Sequence, residues 1–208
     1  MNVYLTLPAV LVSAIFLTAC GGGGGGSSSS SESDHTSAVA NSSETSPASQ
    51  SEEESAESAE TIVIAGCEVD QYQADMLKKV NAARASARSC GAESFAAAEA
   101  LTYNCPIEGA ATSHSSDMAS NNFFSHLGSD GLRVGARVTA TGYEWSVVGE
   151  NIAAGYDDVD TVVQAWLDSP GHCRNIMDPR FTQFAVTRVD VSSADYDNYW
   201  TQVFATAK

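Results

Sequence analysis

Basic residues are scarce in this chain: 10 Lys and Arg stand against 26 Asp and Glu in 208 residues, a formal charge of −16. A nucleic-acid partner is excluded on that ground, since phosphate binding needs a basic face. Closely spaced CxxC pairs are also missing, and with them the usual signature of a structural zinc. Charge is absent from the first twenty residues, "MNVYLTLPAVLVSAIFLTAC". That apolar run is short for a membrane span and ends in small residues, which is a secretory signal pattern. Large apolar residues are nearly absent from the stretch that follows, rich in Gly, Ser and Glu, so burial cannot offset its chain entropy. Residues 21–61 are expected to be a flexible acidic tether. Its 8 acids have no matching Lys or Arg, so 18 acids face all 10 basic residues in the remainder, a formal charge of −8.

The ending "LTAC" resembles the lipobox of bacterial lipoproteins, although no Lys or Arg precedes the apolar run. The resemblance implies lipidation at Cys20 and an anchor in the membrane, with Gly21 similar to the outer-membrane sorting class. The expected location is the cell envelope, or secretion if Cys20 is not lipidated.

What is present from 62 to 208 fits one domain of ordinary size. Its four cysteines, Cys67, Cys90, Cys105 and Cys173, point to two disulfides in an exported chain. Apolar spacing from Tyr72 to Arg88 predicts a helix whose ends lie about 25 Å apart. Cys67 and Cys90, on either side of it, therefore cannot bond to each other, and two pairings remain open. A second helix is expected through "PIEGAATSHSSDMASNN", with Pro106 in its first turn, and a short one in "LRVGARVTATGY" stopping at Gly142. "WSVVGENIAAG" reads as a strand entering a tight structure around Gly149. "DVDTVVQAWLDS" is a third long helix, and "FTQFAVTRVDV" with "NYWTQVFATA" a hairpin. The sum is an α+β domain with helices packed on a small, mostly antiparallel sheet.

Four polar positions stand beside turns or between apolar segments. His114 lies on the apolar stripe of the second helix, where a histidine is more often a hydrogen-bonded core residue than a ligand. His126 follows two Phe and precedes a Gly-Ser-Asp-Gly turn. Glu150 lies between two apolar strand segments, so its carboxylate either caps a backbone turn or faces a His or a metal. His172 starts a turn after Pro170-Gly171, with Asn175 placed to bond the same loop. Two His and one Glu could bind zinc or another divalent cation with a position open for water; the same trio could be a buried network that holds loops.

"VNAAR", "AATSHSSDMASNNFFSHLGSDG", "GYEWSVVGENIAAGY", "VVQAWLDSPGHCRNIM" and "YWTQVF" together resemble the bacterial branch of the CAP superfamily, the SCP, Tpx and pathogenesis-related-1 domain. The resemblance spans Gln71 to Phe204. It implies a three-layer α-β-α sandwich with a cleft lined by two His and two acidic residues. Motif by motif these are His126, Glu150 and His172; the fourth position falls on Ser169, with Asp168 one residue short, and His114 matches a position outside the set. The resemblance also favours pairing Cys90 with Cys173, leaving Cys67 with Cys105.

Fold does not fix activity. The favoured reading is a binding module whose cleft takes a small lipid, sterol, peptide or glycan, with or without a cation. One alternative is a zinc-assisted hydrolase with Glu150 as base, or with Ser169 as a nucleophile beside His172. The other is a structural or interaction protein of the envelope with no cleft activity.

Overall fold

The computed structural model describes residues 61–208; the signal, Cys20 and the tether up to residue 60 lie outside the described residues. Two short hairpins bracket the first helix: β1 (Ile62–Ile64) with β2 (Cys67–Val69), and β3 (Arg88–Cys90) with β4 (Glu93–Phe95). Helix α1 (Gln71–Arg84) starts where the Gln73 side chain accepts from the Asp70 N–H at 2.8 Å, closing an otherwise open first turn. It stops four residues short of the expected Arg88. Cys90 is drawn away by its bridge to Cys173, and Gly91, at φ +66°, turns β3 into β4.

After the two-residue strand β5 (Thr102–Tyr103), helix α2 (Cys105–Asn121) is capped by the Asn104 side chain on Ile107 N. It ends at Asn122 in the left-handed region, φ +49°. Helix α3 (Val134–Ala140) stops ahead of Gly142, as its sequence predicts. Strand β6 (Trp145–Ala154), helix α4 (Val159–Asp168), helix α5 (Pro170–Met177) and the hairpin β7 (Gln183–Asp190) and β8 (Asn198–Ala207) complete the domain.

The main sheet has the order β5-β7-β8-β6, antiparallel except for the β5–β7 pair. Every residue of β8 from Asn198 to Ala205 is buried, so both faces of the sheet are covered. Alternation assigns the faces. Thr201 accepts from Ser115 of α2 at 2.8 Å, and Thr187 opposite it meets Thr112 at 2.8 Å. Trp200 packs edge-on against Tyr72 of α1 at 5.8 Å, and Gln202 reaches Met76. Helices α2 and α3 thus cover one face and α1, α4 and α5 the other, the expected three-layer sandwich around a small, mostly antiparallel sheet.

Two further local expectations change. Strand β6 runs straight through Gly149 without a tight turn. The glycine is needed for space: a Cβ there would lie 2.7 Å from the Phe181 ring. His172 sits in helix α5, not in a turn, because Pro170 fills a first-turn position where no amide hydrogen is required.

Both disulfides form as the resemblance implies, Cys90 with Cys173 and Cys67 with Cys105. The first joins β3 to α5 across 83 residues. Replacing Cys90 and Cys173 by Ala is expected to cost about 2–4 kcal/mol by freeing the unfolded chain. A urea midpoint unchanged from wild type under oxidising conditions would refute this.

Candidate functional site

Strand β6 is one of the two edge strands of the main sheet, so side chains from both helical layers meet around its edge. From one layer comes the segment after α2. The left-handed Asn122 turns the chain, His114 Nε2 donates to Ser125 O at 2.9 Å, and Ser129 is held by the Asp117 carboxylate. That bracing presents His126, whose side chain is 47% exposed. From the other layer comes α5 with His172, fixed by three attachments. Cys173 is bridged to β3, Asn151 Nδ2 donates to His172 O at 3.2 Å, and Asn175 Nδ2 donates to Glu150 O and Asn151 Oδ1, each at 2.9 Å. Asn175 therefore ties its helix to β6, and not to its own loop as its position suggested.

Glu150 points from β6 into the layer of α2 and α3 and is nearly sealed, its side chain 3% exposed. One oxygen accepts from His126 Nδ1 at 2.8 Å and the other from Arg137 Nη2 at 2.6 Å. A buried carboxylate needs such partners. The same guanidinium donates to His126 O and Leu132 O, so α3 clamps the loop as well as the carboxylate. With its Nδ1 hydrogen on Glu150, His126 keeps Nε2 disengaged. Glu150 thus faces a His and, as its second partner, an arginine.

His114 is fully buried, and burial holds its imidazole below the usual histidine range, partly offset by Glu150. Its Nε2 hydrogen goes to Ser125, leaving Nδ1 bare, so the ring is a neutral brace and not part of the cleft wall. A depressed pKa contributes stability that is complete above the unfolded value of about 6.5 and lost as pH falls through the folded value. Stability should therefore fall on acidification from pH 6.5, His114 contributing at most about 1.4 kcal/mol per pH unit. His114→Gln should flatten the pH 6.5 to 5 portion of a thermal-midpoint profile; an unchanged slope would count against it. His172 is also held below its usual range, by burial and then by the nearby His126, so part of the slope remains.

His172 and Ser169 line one cavity of about 310 Å³ with Phe124, Trp166 and Tyr196. His126 and His172 line a second, of about 360 Å³, with Leu127 and Arg133. Phe124, Ile152 and His172 border both, making one continuous cleft along β6. Asp168 is not brought in: it is exposed, and its carboxylate accepts from Gln164 one turn earlier. Ser169 makes no hydrogen bond to His172. Among the described residues no three His, Cys, Asp or Glu side chains are grouped as a metal centre requires.

Residues 77–204 match the model of the CAP family, the cysteine-rich secretory protein family. This chain belongs to the CAP family. The chain is 30% identical over 150 residues to the uncharacterized protein YkwD of Bacillus subtilis, covering 72% of this chain and 53% of that one. It is 33% identical over 86 residues to the uncharacterized membrane protein YlbC of the same organism, 41% of this chain and 25% of that one. The chain thus spans about half of YkwD and a quarter of YlbC. Among solved structures it is similar to an extracellular SCP-domain protein of Bacillus anthracis, at 32% identity and TM-score 0.46, covering 52% of this chain and 34% of that one. An outer surface protein of Borrelia burgdorferi is similar at 20% identity and TM-score 0.48, covering 52% and 78%.

Within the CAP domain, sequence reasoning passed over Arg137. Its signal was present: Val134, Arg137 and Val138 share one face of α3 at helical spacing. An arginine on an inward stripe needs buried acceptors, either a carboxylate or backbone carbonyls.

Proposed function

We propose that this CAP domain is an extracytoplasmic binding module whose cleft along β6 holds a small ligand between His126 and His172. One observation carries the reading: both Glu150 oxygens are engaged, by His126 and by Arg137, so the polar cluster shapes and orients a wall with no carboxylate free to act as a base. The hydrolase alternatives lack their reacting pair, since Glu150 is bound to a guanidinium and Ser169 has no bond to His172. Two disulfides suit an oxidising compartment. Lipidation at Cys20 would hold the domain at the outer membrane; Cys20→Ser should move the protein from the membrane fraction to the soluble one, and unchanged retention refutes the anchor.

A second reading is favoured by the His126–Glu150 bond. A carboxylate behind a histidine orients its other nitrogen toward a cation, so His126 Nε2 and His172 would hold a divalent ion, supplying Lewis acidity to polarise a ligand. With two protein donors, ligand or water completes the shell.

Zinc titration of the purified protein beside a His126→Ala, His172→Ala double variant tests this. Micromolar uptake lost in the variant supports the cation, and no uptake by wild type sinks it. For the binding module itself, small lipids, peptides and glycan fragments are screened by amide-resonance shifts. Shifts centred on Phe124, His126 and His172 support it; shifts elsewhere, or none, overturn it.

A further inference from the structure

The half of the cleft beyond His172 contains no group that the His126, Glu150 and His172 arrangement uses. Its walls are the rings of Phe124 and Tyr196, 48% and 44% exposed and 6.2 Å apart, among the few large apolar side chains that reach solvent in the described residues. These rings are placed by construction. Asn122, at the end of α2, accepts from Asp195 N at 2.8 Å, which pulls the turn between β7 and β8 against the segment carrying Phe124. Tyr196 then lies over Gly155, whose φ of +74° and missing side chain admit the ring; a Cβ would stand 3.2 Å from it. The floor is made of small residues, Ala153, Ala154 and Ala165. A volume of about 310 Å³ exceeds the roughly 150 Å³ that accommodates benzene in an apolar cavity.

The opposite half has a different character. Although the domain's formal charge is −8, no carboxylate lines either cavity. Arg133, at the start of α3, lines the His126 end, is exposed, and has no ion pair among the described residues. Glu150, the acid bonded to His126 at that end, is already neutralised by Arg137. An acidic surface repels anions generally, and this cleft is where that repulsion is lifted. We infer that the cleft selects a carboxylate carrying an apolar group, with the carboxylate at Arg133 and the apolar part against the paired rings of Phe124 and Tyr196. The inference rests on the binding reading above and narrows its ligand. Two sources share the chemistry, the carboxy terminus of a peptide ending in an apolar residue and a free aliphatic acid.

Titration calorimetry of the full-length protein, with EDTA present so that no cation bridges, tests it with three probes: N-acetyl-phenylalanine, its carboxamide, and decanoate. The acid should bind at least about tenfold more tightly than the amide, because a charge-assisted bond to a guanidinium is lost. Arg133→Gln should erase that preference, and Tyr196→Ala should weaken acid and amide alike; circular dichroism checks that these surface variants stay folded. Tighter binding of N-acetyl-phenylalanine than decanoate identifies a peptide end, and the reverse an aliphatic acid. Equal affinity for acid and amide, or a preference surviving in Arg133→Gln, overturns the inference. If that binding is still lost in Tyr196→Ala, the cleft remains a binding site. No binding of any probe at millimolar concentration overturns the inference, whereas the broader reading stands or falls on the resonance screen.

Discussion

Replacing Arg84 by Ala should cost the domain about 4 kcal/mol, measured by urea unfolding at neutral pH. Arg84 closes α1 and is fully buried, yet it pairs with no carboxylate. Its guanidinium donates instead to four backbone carbonyls, those of Glu99, Ile176, Asp178 and Phe181, at 2.6 to 3.2 Å. These carbonyls belong to the segment before β5 and to the exit from α5 into β7, where no ladder satisfies them. Burial pushes the guanidinium below its usual pKa, but not far enough to discharge so strong a base at neutral pH. Alanine would leave a cavity and several carbonyls without donors. Arg84→Lys keeps the charge but lacks the planar fork, so it should recover only part of the loss. A deficit under about 1 kcal/mol for Arg84→Ala would mean that water reaches those carbonyls, contrary to this account. Because three of the four lie at the end of α5 or just after it, the substitution should also loosen the wall that carries His172.

Arg137→Met should cost about 3–5 kcal/mol, because it leaves the Glu150 carboxylate buried with only His126 as partner. The side chains are 6% and 3% exposed, so solvent screening gives little relief. Glu150→Gln alone should also destabilise, by stranding the guanidinium. The two together should cost less than the sum, with a coupling of about 2 kcal/mol in a double-mutant cycle. Additive costs would show that Arg137 matters only for the loop carbonyls of His126 and Leu132. The distinction bears on function, since a cleft wall held by this ion pair keeps His126 in one orientation for whatever binds.

Much of the architecture was legible along the chain. Amphipathic spacing marked α1, α2 and α4, alternation marked β7 and β8, and two disulfides followed from even cysteine count and the export signal pattern. The pairing of those cysteines came from resemblance; helix geometry had only removed one option. Errors arose where local pattern and tertiary demand disagree. Residues 85–88 continue a helical composition, but the bridge to α5 and the turn at Gly91 end the helix at Arg84 and start a strand at Arg88. Gly149 looked like a bend because glycine marks turns, whereas here it marks a close approach of Phe181.

The candidate cleft divides in the same way. Residue types and periodicity, which are local properties, marked the helices and strands and singled out His126, Glu150 and His172, while the family resemblance implied the three layers and the cleft. Only the tertiary structure decided what surrounds them. Arg137 is 13 residues from Glu150 and Tyr196 is 72 from Phe124. Strand order, which leaves β6 at the sheet edge, brings the first pair together behind His126 and the second to the cleft itself. A carboxylate's partner and a cavity's wall are set by contacts distant in sequence, and those exist only once the layers have packed.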